Sequence, residues 1–168
     1  LDAGRLLSAD YREARPAPAA PVSSFTRPLF IDLSGRPDLA YRHAEEHYAD
    51  FKVQPLLPHK HSQQGPALAV GDLNGDGLED FFIGGAFRRA GHLFFQRPDA
   101  TFSSRPLAGG PNYEEDLGCF LFDADGDGDL DLYVTSGGSE FEAGSRWYQD
   151  RLYRNDGKGN FLPDPAAL

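Results

Sequence analysis

The chain lacks methionine, has a single cysteine and contains no apolar run long enough to span a bilayer. It is also short of basic residues, with 16 Lys and Arg against 26 Asp and Glu, so the formal net charge is −10 at pH 7. Proteins that bind nucleic acids need basic patches, and this balance argues against a nucleic-acid partner. The lone Cys119 lies in an apolar stretch and has no disulfide partner, so we expect a buried free thiol. Without methionine, we expect Leu1 to be a processed or truncated start, consistent with a removed export signal.

Two acidic segments, at 72–80 and 123–131, repeat the pattern D-x-[DN]-x-D-G-x-x-D. Calcium takes about six to eight oxygen ligands at about 2.3–2.6 Å, and alternate residues of a tight loop can converge on such an ion. The glycine at the sixth position, Gly77 or Gly128, permits the sharp turn, and the seventh residue would offer its backbone carbonyl. The sequence therefore predicts two calcium ions per chain, bound by Asp72, Asn74, Asp76, Leu78 and Asp80 in the first loop and by Asp123, Asp125, Asp127, Asp129 and Asp131 in the second.

The alternative is that both segments are metal-free surface turns. Asp, Asn and Gly are common in turns for reasons unrelated to metal. The second loop, however, carries five aspartates in nine residues, and without a cation these like charges repel each other. The charge density favours calcium binding over metal-free turns.

The loops belong to a longer repeat, because an apolar strand precedes and follows each of them and a hairpin comes next. The strands are rich in Phe, Tyr, Val, Ile and Leu and are punctuated by Gly and Asp, which is typical of antiparallel β structure. We predict a mainly β fold with two antiparallel blade-like units, at about 65–102 and 117–162. The second unit carries an insertion at 138–146 that the first lacks.

The two units resemble FG-GAP or VCBS-type repeats, which form the calcium-loop blades of integrin-α-like β-propellers and of many bacterial surface proteins. The segments 50–58 and 65–77 carry this resemblance together with the loops, and it covers about residues 38–162. A propeller has about four to eight blades, whereas only two units are visible here. The resemblance implies that the loop side chains bind calcium, which applies here to Asp72, Asn74, Asp76, Asp80, Asp123, Asp125, Asp127 and Asp131.

The sequence outside the repeats predicts an arm and a short helix. Residues 1–28 read as an extended Pro- and Ala-rich arm, ahead of a calcium-binding β domain at 29–168. A first strand is expected at 27–33. Apolar and histidine residues within 37–51 suit a short helix, although the family resemblance favours an extended start at 39–43.

A competing metal site is suggested by His43-Ala-Glu-Glu-His47, which fits the zinc-peptidase pattern H-x-x-E-H. That chemistry places two histidines one helical turn apart and uses Glu46 as general base. It also needs a third ligand, for which His59 and His61 are the nearest histidines downstream. No distinctive third-ligand motif follows, so this pattern remains a remote alternative.

Two non-enzymatic functions lead. The first is an extracellular or cell-surface structural module, stabilised by calcium, that self-assembles into a filament or surface layer through its sheet edges and the arm. The alternative is a piece of a larger β-propeller that adheres to a glycan or a surface protein. The aromatic residues Phe141, Trp147 and Tyr148 would form a glycan platform in that case, or else pack internally. Extracellular calcium suits either function, because extracellular modules bind it with Kd on the order of 10⁻⁴–10⁻³ M.

Overall fold

The computed structural model describes residues 30–107 and 112–167, so the arm predicted at 1–28 lies outside the described residues. The chain divides into two compact parts after Asp32, and all residues from Leu33 onward belong to the second part. In the part that ends at Asp32, Phe30 and Ile31 are exposed and have no regular secondary structure. The strand predicted at 27–33 is therefore absent from the part of it that is described.

The first sheet contains four antiparallel strands in the order β1-β2-β3-β4. They are β1 (Leu68–Gly71), β2 (Asp80–Ile83), β3 (His92–Gln96) and β4 (Phe102–Pro106). Each strand pairs with the next along the chain, as in Phe82 opposite both Ala69 and Leu93. This meander is the first predicted unit.

The second sheet repeats the same order with β5 (Glu115–Phe122), β6 (Asp131–Gly137), β7 (Arg151–Arg154) and β8 (Leu162–Pro163). The predicted insertion at 138–146 lies between β6 and β7, and a 3₁₀ turn at Arg146–Tyr148 begins at its last residue. The mainly β fold with two antiparallel blade-like units is thus confirmed.

The helix predicted within 37–51 is wrong in extent. Only two 3₁₀ turns form, Pro37–Leu39 and Asp50–Lys52, and residues 40–49 between them have no regular secondary structure. Side-chain packing replaces the helix: Tyr41 lies on the first sheet, with its ring 5.3 Å from the His92 ring and 5.8 Å from the Phe94 ring. The family resemblance favoured an extended start at 39–43, and residues 40–43 have no helical structure.

One hydrophobic core joins the two sheets. The first sheet contributes the face that carries Phe82 and Leu93, and the second contributes the face that carries Val134 and Tyr153. Cys119 packs against this core as a free, partly buried thiol, and burial raises its pKa to about 11. The buried members of the core are Leu73, Phe82, Leu93, Leu107, Leu132, Val134, Tyr153 and Phe161.

A buried ion pair ties the sheets together at the end away from the acidic loops. Asp116 of β5 is 2 % exposed and accepts a hydrogen bond from the Gly85 backbone N–H, just after β2, at 2.6 Å. The same carboxylate pairs with the guanidinium of Arg151 on β7 and accepts from Asn112 Nδ2 at 3.1 Å. Asp116 therefore connects both sheets through one carboxylate.

We expect Asp116→Ala to lower the free energy of unfolding by about 3 kcal/mol or more, because Arg151 would be left without its buried partner. Urea unfolding followed by tryptophan fluorescence measures this change. The control is Glu114→Ala, since Glu114 lies 3.8 Å from the same guanidinium in a less buried position. Its loss should cost only about 0–1 kcal/mol. Equal losses in the two variants would contradict a special role for Asp116.

Candidate metal centre

The two acidic loops occupy equivalent places in the two sheets. The first connects β1 to β2 and the second connects β5 to β6. In both, the glycine at the sixth position has a positive φ, 83° at Gly77 and 96° at Gly128. Such backbone conformations are strained for residues with a Cβ, so the loops turn where the sequence predicted that they would.

The first aspartate of each loop accepts several hydrogen bonds from backbone N–H groups of the same loop. Asp72 accepts hydrogen bonds from the N–H groups of four residues, including Gly75 at 2.7 Å and Gly77 at 2.8 Å. Asp123 repeats the two shortest of these, accepting from Gly126 at 2.6 Å and Gly128 at 3.1 Å. Burial alone would raise the pKa of Asp72, but the backbone donors outweigh it and hold the pKa below its usual range. The loop is therefore organised around an ionised carboxylate.

The last aspartate of each loop lies at its buried base. Asp80 is fully buried and accepts from the backbone N–H of Leu73 at 3.1 Å and of Gln96 at 2.7 Å. Asp131 is 1 % exposed and accepts from the N–H of Ala124 at 2.9 Å and of Asn155 at 2.8 Å. Each of these carboxylates joins the start of its loop to the end of the third strand of its sheet, a structural role that the loop pattern alone did not indicate.

Three carboxylates of the second loop converge. Asp123, Asp125 and Asp131 each offer an oxygen, and these oxygens all lie within 4.8 Å of one another. Oxygens on opposite sides of a calcium ion are about 4.6–5.2 Å apart, given Ca–O distances of about 2.3–2.6 Å. The donor set of hard carboxylate oxygens therefore fits calcium in both type and spacing.

Asp129 gives a second sign that the loop has excess negative charge. Its Oδ1 is buried and has no hydrogen-bond partner in the described part of the chain. Burial and the neighbouring carboxylates of the same loop raise the pKa of Asp129. A cation in the loop would relieve this repulsion.

The first loop is less acidic and differs in geometry. Asn74 replaces the second aspartate, and its side chain joins the loop by donating to Asp76 Oδ2 at 3.1 Å and accepting from the Asp76 N–H at 3.0 Å. Within 30–107 and 112–167, only the second loop brings three carboxylates together in this way. The backbone carbonyls of Leu78 and Asp129 remain predicted ligands.

Arg154 is the residue of this site that sequence reasoning missed. Its Nη1 lies 3.1 Å from Asp131 Oδ2 and 3.4 Å from Asp125 Oδ2, so the end of β7 places a cation beside the second loop. Its Nε also pairs with Asp164 at 3.2 Å. No motif signalled this contact, because it depends on the pairing of β6 with β7.

The zinc-peptidase pattern does not form its site. Residues 43–47 are not helical, so His43 and His47 are not placed one helical turn apart. His43 instead contacts the Tyr41 hydroxyl at 3.2 Å and Glu45 Oε1 at 3.3 Å. The rings of His59 and His61 lie 4.6 Å apart, but neither joins a metal-binding cluster in the part of the chain that the structure describes.

Comparison with protein families adds one finding. A family model described as FG-GAP-like repeat matches residues 51–134, which is half of the chain and spans both acidic loops. No curated protein and no solved structure matches the chain significantly.

We expect Asp127→Ala to abolish calcium binding at the second loop and leave the first unchanged, because it removes the predicted ligand at the fifth position, which lies outside the cluster of Asp123, Asp125 and Asp131. Asp76→Ala is the matched reciprocal control, with the equivalent ligand removed from the first loop. Isothermal titration calorimetry should count two sites in the parent chain and one in each variant. Two undiminished sites in either variant would contradict the ligand assignment.

Proposed function

Since this chain belongs to the FG-GAP-like repeat family, we propose that it is a non-catalytic structural module of the cell surface or extracellular space, stabilised by calcium, which associates with further blade units through its outer sheet faces. FG-GAP repeats form β-propeller-like surface or adhesion modules and are generally non-catalytic. The described residues contain no helix that is long and apolar enough to cross a membrane.

The observation that carries this proposal is that the two units pack head to tail. Aligning Asp72 with Asp123 makes Ala69 and Phe82 equivalent to Phe120 and Tyr133. Ala69 and Phe82 belong to the face of the first sheet that packs on the second sheet. Phe120 and Tyr133 belong to the face of the second sheet that points away from the first sheet. The contact therefore joins opposite faces of equivalent units, which is a heterologous contact.

A heterologous contact leaves one complementary face open at each end. On the first sheet, Leu68 and Val70 are 61 % and 54 % exposed, although their equivalents Cys119 and Leu121 pack against the core. On the second sheet, Phe120 is 60 % exposed. Large exposed apolar side chains of this kind mark association surfaces. Repetition of the contact gives a ring if its rotation closes and a filament if it does not.

Calcium would act here as a structural ion rather than a reactive one. Each loop joins the first two strands of its sheet, and Leu73, the second residue of the first loop, is fully buried in the core. Ordering the loop therefore orders core residues. Arg154 supplies part of the countercharge at the second loop, so its removal should make that loop depend more strongly on calcium.

The aromatic residues of the insertion favour packing over a glycan platform. Phe141 contacts the rings of Trp147 and Tyr148, each at 6.1 Å between centroids, and the Tyr148 hydroxyl donates to the Phe141 carbonyl at 2.7 Å. Phe87, from the first unit, lies 5.6 Å from Phe141. These rings thus hold the insertion together and connect it to the first unit.

Chelation of calcium should lower the melting temperature. At a calcium concentration of one hundred times Kd, binding to the folded state stabilises it by about 2.7 kcal/mol per site. Circular dichroism melts with calcium and with a chelator measure the shift. Arg154→Gln should widen the gap between the two melts, whereas Arg89→Gln, an equal charge change at an exposed position of the turn after β2, at the other end of the sheet from the loops, should not. Coincident melts for the parent chain would argue against a structural ion.

Phe120→Asp should reduce self-association, because it puts a charge on the open face of the second sheet. Leu56→Asp is the matched control, since Leu56 is 98 % exposed and lies outside both sheets. Sedimentation velocity in the presence of calcium measures the effect. Deletion of residues 1–28 tests separately whether the arm contributes. If the parent chain and Phe120→Asp both sediment as monomers at high concentration, self-association through this face is wrong.

A further inference from the structure

The structure contains a second group of acidic side chains, which line a cavity rather than an exposed turn. Its volume is about 140 Å³. The segment before the first sheet, the turn after β2, the start of β5 and the insertion all contribute to its wall. The lining residues are Glu46, His47, Tyr48, Phe87, Glu115 and Glu140.

The carboxylate of Glu115 is the key group of this cavity. The residue is 6 % exposed, and its Oε2 accepts a hydrogen bond from the Phe87 N–H at 2.9 Å. A carboxylate has about four lone-pair positions, and the described residues supply no second donor to this one. A buried carboxylate without a cationic partner is costly, so this group is suited to an external cation.

The negative charges around Glu115 also favour a cation in the cavity. Burial raises the pKa of Glu115 to about 7, and the negative charges of Glu140, Glu45 and Asp116 add to the rise. Glu46 and Glu140 themselves line the cavity. A cation would be attracted by all of these carboxylates at once.

One cation of the chain, Arg88, lies against the outer part of this wall. Arg88 Nη1 is 3.9 Å from Glu46 Oε2, and the Arg88 guanidinium lies 4.9 Å from the centre of the Phe87 ring. Arg88 is exposed, with its side chain 58 % accessible, so it stays at the rim. The lining itself combines carboxylates with aromatic rings, the two kinds of group that recognise organic cations.

We propose that this cavity binds an alkylammonium group, with the ammonium on Glu115 and Glu140 and the alkyl chain against Phe87 and Tyr48. An apolar protein cavity of about 150 Å³ holds benzene, which has six non-hydrogen atoms, so a cavity of about 140 Å³ has room for about five or six. A lysine side chain has five, as does n-butylammonium. A guanidinium on an arginine-length chain is larger and fits less well. The site is separate from the calcium loops and does not depend on the proposed function.

The test uses n-butylammonium and N-acetyl-lysine methylamide as probes, with calcium present throughout. The readout is the ¹H–¹⁵N resonance of the Phe87 amide, which donates to Glu115 and therefore reports on the cavity. We expect a saturable shift, with Kd of about 1 mM for at least one probe. Similar affinities identify a free amine as sufficient, whereas tighter binding of the lysine derivative identifies a lysine side chain of a partner. n-Butanol, the neutral analogue, should not bind.

Two variants and a control make the result specific. Glu115→Gln keeps an acceptor for the Phe87 N–H but removes the charge, and should weaken binding by about tenfold or more. Glu140→Gln should weaken it too, and it serves if Glu115→Gln fails to fold. Glu142→Gln is the control, because it makes the same change of charge at an exposed position of the same insertion. No saturable shift with either probe, or equal binding by n-butanol, would overturn the proposal.

Discussion

The buried aspartate at the end of each acidic loop is the contact on which the rest of the structure depends. Asp80 and Asp131 each begin a second strand, and each accepts backbone hydrogen bonds from the start of the loop and from the end of the third strand. A buried carboxylate is tolerated only when such donors satisfy it, so loop and strands must form together. Through Leu73, the first loop is also part of the core that joins the two sheets.

The two loops carry the same pattern but balance their charge differently. The first loop replaces one carboxylate with Asn74 and wraps Asp72 in four backbone N–H groups. The second keeps five aspartates and draws on Arg154, a residue of β7. The guanidinium and a calcium ion would both be attracted to Asp125 and Asp131, so Arg154 would compete with a cation at the more acidic loop. Two loops of the same pattern thus differ in the charge that a cation would meet.

Head-to-tail packing of the two sheets also explains where the remaining features lie. The contact between opposite faces leaves Phe120 exposed at one end and Leu68 and Val70 exposed at the other. At the end of the sheets that Asp116 and Arg151 tie together, the insertion and the segment before the first sheet meet and enclose the cavity around Glu115. A single mode of packing thus leaves an exposed apolar face at each end and a recess between the units.

Local patterns determined the strands, the turns and the acidic loops, because alternating apolar residues, glycines with positive φ and regularly spaced aspartates act over a few neighbouring residues. They misjudged residues 37–51, where side-chain packing of Tyr41 on the first sheet prevailed over helical periodicity. They could not reveal Arg154 beside Asp131, the pairing of Asp116 with Arg151, or the environment of Glu115. Those contacts join residues far apart along the chain, so only the tertiary structure decided them.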